Sequence, residues 1–178
     1  MLFGIISDTH ITDRVGELPD EIYDKFKNVN KIIHCGDITS NGILDNLNSI
    51  DGVSEVIAVK GNMDTMALPK EIFLEINGFK IGIFHGDKIY PRGDLLKMKY
   101  YCLENELDVL ISGHTHIPLI KKITIPELNK NILLLNPGSP TVPRFPLKTV
   151  MSFEIKKDVL KPEIILTCFG EKSPSVRD

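Results

Sequence analysis

The sequence predicts an α/β protein in which two packed β-sheets carry helices on their outer sides. Three observations indicate this class. Short apolar runs alternate with amphipathic segments in the first part of the chain, whereas the last part contains only strand-like runs. The chain has 178 residues and 42% hydrophobic content, which suffices for one domain with a sizeable core.

The predicted elements follow from apolar spacing. Strands are predicted at residues 2–6, 31–34, 55–59, 72–76, 80–84, 109–111, 119–123, 132–135, 150–155 and 163–166, and helices at residues 19–26, 43–47 and 94–103. Asn77-Gly78, between two of the strands, is a strong signal for a type I′ hairpin. The order is therefore β-α-β-like at first and mostly β afterwards.

Composition excludes several classes of function. The net charge is −3 and the lysines are scattered, so no duplex nucleic acid is expected as a partner. No apolar run approaches the ~18 residues of a membrane span, and no membrane partner is expected. Three widely spaced cysteines without a C-x-x-C motif indicate a reducing, cytoplasmic location. P-loop and dinucleotide-binding glycine motifs are also missing from the sequence.

Polar residues able to bind a metal come directly after five of the predicted strands. The blocks are Asp8-Thr9-His10, Gly36-Asp37, Gly61-Asn62-Met63-Asp64, His85-Gly86-Asp87 and Gly113-His114-Thr115-His116. Ligands of α/β sheets gather at the carboxyl ends of strands, so these side chains are expected to converge on one rim. The glycines are expected to let the backbone turn sharply there.

The pair His114 and His116 indicates two adjacent ions. In an extended segment, residues i and i+2 point the same way, so both imidazoles are expected to face one centre. Imidazoles, carboxylates and an amide oxygen suit Mn, Fe, Co, Ni or Zn rather than calcium. Two ions about 3.5–4 Å apart would need a shared ligand, and spacing alone leaves Asp37 and Asp8 as candidates.

Simpler interpretations compete with this hypothesis. A single Asp after a strand is commonly a turn residue or a helix N-cap, and Asn62 alone fits a left-handed turn. His34 fits a satisfied core or rim histidine better than a ligand. Arg92 and Arg144 fit surface arginines better than phosphate contacts. However, four of the five histidines stand at strand ends with glycine nearby, which turns alone do not explain.

The ordered blocks resemble those of the calcineurin-like metallophosphoesterases. The similarity covers roughly residues 1–168, taken as the metallophosphoesterase domain, and residues 169–178 are a polar C-terminal tail. The block Asn136-Pro137-Gly138-Ser139 is similar to that of small members of the family. Small bacterial and archaeal phosphodiesterases are the most similar, together with the metallophosphoesterase-like subunit of the retromer coat, which HGDKIYPRGD resembles especially.

The resemblance implies a four-layer αββα sandwich of two mainly mixed sheets, and two divalent transition-metal ions. Manganese is the first candidate, with Ni, Zn, Fe or Co as alternatives. The implied ligands are Asp8, His10, Asp37 and His116 at the first site, and Asp37, Asn62, His85 and His114 at the second. Asp37, Asn62 and His114 are also the implied catalytic residues. The implied reaction is hydrolysis of a small phosphodiester by in-line attack of a metal-bound hydroxide at the dinuclear centre.

Two positions depart from the family pattern. Many relatives carry a histidine, thought to protonate the leaving group, where this chain has Met63, and many small relatives carry a histidine where it has Asp87. General acid catalysis contributes roughly 10²–10⁴-fold. We therefore expect slow, broad hydrolysis that favours good leaving groups. Asp64 and Asp87 could organise a water in place of the acid, although a turn or supporting role fits them better.

Two other functions stay open at this stage. One is a catalytically weak or silent interaction scaffold resembling the retromer subunit, and the other is a nuclease of the same superfamily. The complete ligand set favours an enzyme, and the lack of a basic stripe disfavours a nuclease. Oligomeric state is open, with a homodimer as one candidate and residues 150–155 as a strand that could pair.

Overall fold

The computed structural model describes residues 1–11 and 17–167. The predicted tail at residues 169–178 lies outside the described residues. The strands are β1 (Leu2–Ile6), β2 (Lys31–His34), β3 (Val56–Ala58), β4 (Glu71–Ile76), β5 (Phe79–Phe84), β6 (Val109–Ile111), β7 (Pro118–Ile125), β8 (Lys130–Pro137), β9 (Thr149–Lys156) and β10 (Val159–Leu166). The helices are α1 (Asp20–Phe26), α2 (Asn41–Asn48) and α3 (Leu95–Glu104), and a 3₁₀ turn spans Pro126–Leu128.

Two mixed sheets of five strands form the centre of the molecule. Their strand orders are β10-β9-β1-β2-β3 and β4-β5-β6-β8-β7. The strands β1, β2 and β3 run parallel in the first sheet, as do β5, β6 and β8 in the second. Antiparallel strands complete both sheets. Each sheet therefore presents the carboxyl ends of three parallel strands at one edge.

Three apolar layers separate the sheets from each other and from the helices. The central layer includes Phe3, Ile33 and Val109, from both sheets. A second layer joins α1 and α2 to the first sheet, and a third joins α3 to the second sheet. This arrangement is the predicted αββα sandwich of two mixed sheets.

The alternation of neighbouring side chains explains how the parallel strands serve two layers. Ile33 packs in the central layer, and its neighbour Ile32 packs against the helices. Val109 likewise faces the central layer, whereas Leu110 faces α3. Successive side chains of a strand point to opposite faces, so continuously apolar runs are needed where both faces are buried.

The sequence placed the elements within a few residues of their observed bounds. Asn77 and Gly78 both have positive φ (53° and 82°), as the predicted type I′ turn between β4 and β5 requires. The expectation that residues 150–155 could be a pairing edge is wrong. These residues belong to β9, which lies between β10 and β1 and is hydrogen-bonded on both sides.

Within the described residues, no helix is long and apolar enough to cross a lipid bilayer.

Candidate metal centre

Six of the seven predicted ligands form two groups at the carboxyl ends of the parallel strands. The first group contains Asp8, His10 and His116. Its Asp8 Oδ1 lies 3.3 Å from His116 Nε2, and His10 Nε2 also lies 3.3 Å from His116 Nε2. In this group every candidate donor atom lies within 4.8 Å of the others.

The second group contains Asp37, His85 and His114, with the same limit of 4.8 Å between donor atoms. Asp37 Oδ2 lies 3.4 Å from His85 Nε2, and His114 Nδ1 lies 3.3 Å from the same nitrogen. Nitrogen atoms that approach this closely around a carboxylate suit ligands of one cation.

Asp37 stands between the two groups. Its Oδ2 lies 3.5 Å from His10 Nε2 in the first group and 3.4 Å from His85 Nε2 in the second. The corresponding approach of Asp8 Oδ1 to His85 Nε2 is longer, at 4.0 Å. Spacing left both carboxylates as candidates for a shared ligand, and the geometry favours Asp37.

Left-handed backbone aims most of these side chains. Five of the candidate ligands have positive φ: Asp8 (54°), His10 (43°), Asp37 (55°), His114 (66°) and His116 (59°). A residue other than glycine in this region costs of order 1–3 kcal/mol and persists only where the surroundings enforce it. The expectation that His114 and His116 lie in an extended segment is therefore wrong. The turn sends the two imidazoles into different groups.

The glycines of the site act in two ways. Gly36 and Gly86 have positive φ (90° and 97°), as expected for sharp turns. Gly61 and Gly113 instead permit close approach. A Cβ on Gly61 would lie 2.2 Å from Asp37 Oδ1, and one on Gly113 would lie 2.8 Å from a carboxylate oxygen of Asp8.

Backbone carbonyls orient two of the imidazoles. His85 Nδ1 lies 2.7 Å from the carbonyl oxygen of Cys35, and His116 Nδ1 lies 2.6 Å from that of Val142. Each Nδ1–H therefore donates to a carbonyl, which leaves the Nε2 lone pair directed into the site. Cys35 itself is fully buried in the central layer.

Asp64 holds the loop that carries Asp37. Its two carboxylate oxygens accept the N–H groups of Asp37, Ile38, Thr39 and Gly61 at 2.7–2.9 Å. Asp64 is only 5% exposed, so these bonds satisfy a buried charge. The sequence named Asp64 as a supporting carboxylate without finding its partners, because the four donors come from two separate loops.

The block Asn136–Ser139 ties the histidine loop to the Asp8 loop. Buried Asn136 donates from Nδ2 to the carbonyl oxygen of Gly113 at 2.7 Å, and its Oδ1 accepts the N–H of Gly138 at 2.9 Å. Ser139 Oγ donates to the carbonyl oxygen of Asp8 at 2.7 Å. Sequence reasoning noted this block only as a resemblance and missed its supporting contacts.

The pKa values of the candidate ligands respond to burial and to their partners. Burial raises the pKa of Asp37, but the hydrogen bonds from His85 and the Met63 N–H outweigh it, so the pKa is lowered. Burial lowers the pKa of His10 and of His114, which favours neutral imidazoles. For His85 and His116, contacts with Asp37 and Asp8, respectively, outweigh burial, so both pKa values are raised.

The positions of Asn62, Met63 and Asp87 complete the rim. Asn62 is exposed and lines a cavity together with His85. The Met63 side chain is 59% exposed, while its backbone N–H donates to Asp37 Oδ1 at 2.8 Å. The departure at Met63 therefore leaves the support of Asp37 intact. Asp87 is exposed on the same cavity.

Three other residues considered from the sequence lie around the centre. His34 is fully buried; its Nε2 lies 3.1 Å from Thr9 Oγ1, but its Nδ1 has no hydrogen-bond partner in the described part of the chain. It is a core residue, satisfied at one nitrogen only. Arg92 Nη1 donates to the carbonyl oxygen of His114 at 3.1 Å, and Arg144 lines a second pocket beside it.

The donor set fits divalent transition metals. Imidazole nitrogens and carboxylate oxygens converge in two adjacent clusters, and carbonyl and N–H partners hold the ligands in place. Calcium and magnesium prefer all-oxygen surroundings, so this mixture does not suit them.

Comparison with known proteins agrees with this chemistry. Residues 1–158 match the calcineurin-like phosphoesterase superfamily domain. A probable metallophosphoesterase of Methanocaldococcus jannaschii is 53% identical over 165 residues, covering 93% of this chain and 81% of the relative. The chain therefore belongs to the calcineurin-like phosphoesterase superfamily, whose members use divalent metals, and this membership indicates a metal-dependent phosphoesterase.

Two solved structures illustrate the branch. Vps29 of Entamoeba histolytica, in complex with zinc, has a TM-score of 0.76 and 26% identity, covering 93% of this chain and 99% of that one. A protein characterised as an archaeal phosphodiesterase has a TM-score of 0.68 and 23% identity, covering 93% of this chain and 100% of that one. The second likeness concerns the fold alone.

Proposed function

We propose that this protein is a metal-dependent phosphodiesterase that hydrolyses small phosphodiesters at a dinuclear centre. The observation that carries the proposal is the position of Asp37 Oδ2, within 3.5 Å of a ligand nitrogen from each of the two groups. A shared carboxylate is what two ions about 3.5–4 Å apart require. Manganese remains the first candidate metal, with Ni, Zn, Fe or Co as alternatives.

The chain's own residues set the charge and the geometry of the reaction. Two carboxylates against two divalent ions leave a net charge of +2, which attracts a phosphodiester anion. When bound, the ions lower the pKa of water and neutralise charge on the phosphate. The imidazoles and Asp37 fix the donor positions, and the loops held by Asp64 and Asn136 limit their movement.

The preference for diesters with good leaving groups rests on Met63. A thioether cannot donate a proton, so the leaving oxygen must depart without a general acid at this position. Of the carboxylates that line the cavity next to Asn62, exposed Asp87 is the one that accepts no hydrogen bond within the described residues. Esters whose leaving group is a weak base need no such help.

The first experiment is a metal-dependence assay on bis(p-nitrophenyl) phosphate. Metal-depleted wild-type protein is reconstituted with Mn, Ni, Zn, Fe or Co, and bound metal is counted by elemental analysis. Asp37→Asn is expected to lose activity and bind fewer ions, whereas Asp45→Asn, an exposed carboxylate on α2, is expected to behave as wild type. Faster cleavage of p-nitrophenyl phosphate than of the diester would contradict the preference.

The likeness to Vps29 supports a second candidate function, a catalytically weak or silent interaction scaffold similar to the retromer subunit. The same assay separates the two. Wild-type protein that binds two ions per chain but cleaves no ester with any of the five metals would favour the scaffold. We also retain a cytoplasmic location, the absence of duplex nucleic-acid and membrane partners, and a candidate homodimer as parts of the proposal.

A further inference from the structure

A cavity of about 540 Å³ adjoins the second ligand group. Its lining includes Asn62 and His85, together with residues from the start of β4, the loop after β5 and Tyr101 of α3. This volume falls in the range of pockets that bind small organic ligands. A group attached to a phosphate held at the centre therefore has room to extend into the cavity.

The apolar part of the cavity suits a planar ring. Phe84 and half-buried Tyr101 stack with ring centroids 5.1 Å apart and planes inclined by 13°. Ile89 extends this apolar wall. The Tyr101 hydroxyl donates to Glu71 Oε2 at 2.6 Å, so the polar end of the ring is already satisfied.

The charged part of the cavity suits an anion. Lys60, Lys70 and Lys88 line it, and within the described residues none of the three forms a salt bridge. Of the cavity's carboxylates, Asp64 is occupied by four backbone N–H groups and Glu71 by Tyr101.

The third carboxylate, Asp87, is exposed and also has no partner within the described residues, so three unpaired ammonium groups face one unpaired carboxylate and the unpaired groups are positive overall. Ammonium groups without a partner beside an apolar wall bind phosphate oxygens as point charges.

We propose that this cavity receives one substituent of the phosphodiester and that this substituent is nucleotide-like, with a planar ring and a second phosphate. The inference rests on the proposed function. Lys70 and Lys88 would contact the second phosphate, and Phe84 and Tyr101 would contact the ring. Hydrolysis breaks one P–O bond, adds hydroxyl to phosphorus and a proton to the leaving oxygen, and needs only water.

A matched pair of activated diesters tests the proposal. The probes are thymidine 5′-(p-nitrophenyl phosphate) and the same ester with an additional 3′-phosphate. The manganese-loaded wild type is expected to show a kcat/KM about tenfold higher for the second, since one charge-assisted contact contributes about 1.4 kcal/mol or more. In Lys70→Ala/Lys88→Ala the preference is expected to fall below about twofold, because the contacts with the second phosphate are lost.

A matched control is the pair Lys121→Ala/Lys122→Ala. These two lysines are exposed neighbours on β7, away from this cavity, and the double substitution removes the same charge. It is expected to keep the wild-type preference. An equal loss in both double variants would assign the preference to overall charge and overturn the proposal, as would an unchanged preference in Lys70→Ala/Lys88→Ala.

Binding to the metal-free protein supplies a readout independent of activity. Calorimetric titration with thymidine 3′,5′-bisphosphate is expected to give binding about fivefold or more tighter than thymidine 5′-monophosphate, and Lys70→Ala/Lys88→Ala is expected to remove the difference. If no metal restores diester hydrolysis, the proposed function fails. The titration still shows whether the cavity binds a second phosphate. Equal affinities for the two nucleotides in wild type would overturn the inference.

Discussion

The carboxylate of Asp64 accepts the backbone N–H of Asp37 at 2.9 Å and so fixes the residue that stands between the two ligand groups. Oδ1 of Asp37 accepts the N–H of Met63 at 2.8 Å, so Oδ2 is left to face His10 and His85. Two adjacent carboxylates thus have different roles. Asp64 holds the backbone, and Asp37 faces the imidazoles of both candidate ligand groups.

Asp64→Asn is expected to destabilise the protein by about 2–4 kcal/mol, because an amide offers one acceptor oxygen where four N–H groups need two. Metal affinity is expected to fall with it, since Asp37 loses its support. Urea unfolding and metal titration measure the two effects. Asp87→Asn, an exposed carboxylate on the same cavity, serves as the control and is expected to change stability by less than about 0.5 kcal/mol.

Gly61→Ala is expected to weaken metal binding at both groups. Its Cβ would lie 2.2 Å from Asp37 Oδ1 and 2.3 Å from the Asp37 backbone nitrogen, so Asp37 must move. Gly42→Ala in α2 is the matched control, because its Cβ would meet only Ser40 Oγ, at 3.8 Å. Elemental analysis counts the ions retained after dialysis. Full retention of metal in Gly61→Ala would show that Asp37 is not a shared ligand.

Met63→His is expected to speed hydrolysis of diesters with poor leaving groups by about 10-fold or more. The position is exposed, and the backbone N–H that supports Asp37 is unchanged by the substitution. Rates for methyl p-nitrophenyl phosphate and for a dialkyl phosphate give the comparison. If Met63→His accelerated hydrolysis of the activated ester alone, the absence of a general acid would not explain the preference. The control variant Met63→Gln is expected to accelerate hydrolysis of neither ester.

His34 is expected to make stability depend on pH. Burial lowers the pKa of His34 to about 4 from its ordinary 6.5. Between these values the unfolded chain binds a proton that the native protein does not, so stability falls as pH falls from about 6.5 to about 4. The contribution is of the order of 3 kcal/mol across that window.

Urea unfolding of metal-free protein at several pH values measures this slope, and His34→Gln should flatten it. Thr9→Val removes the hydrogen-bond partner of His34 but keeps the imidazole. This variant is expected to be less stable than wild type but to show the same dependence of stability on pH. An identical slope in wild type and His34→Gln would rule out a neutral buried imidazole.

The sequence by itself determined the elements and the set of candidate ligands. Apolar runs of the right length define strands whichever neighbours they later acquire, and Asn77-Gly78 defines its own turn, because these preferences are local. The blocks from Asp8 to His116 predicted the donor set for a similar reason. Each stands directly after a strand, where α/β proteins place their sites.

Only the tertiary structure decided how those candidate ligands are grouped and supported. Asp37 approaches His10 and His85 from a different loop, and Asp64 binds N–H groups of two loops. The three lysines of the cavity also come from separate parts of the chain. Strand order decided that β9 is internal rather than an edge. The left-handed backbone at His114 and His116 also depends on contacts between loops, because an isolated residue other than glycine disfavours that conformation.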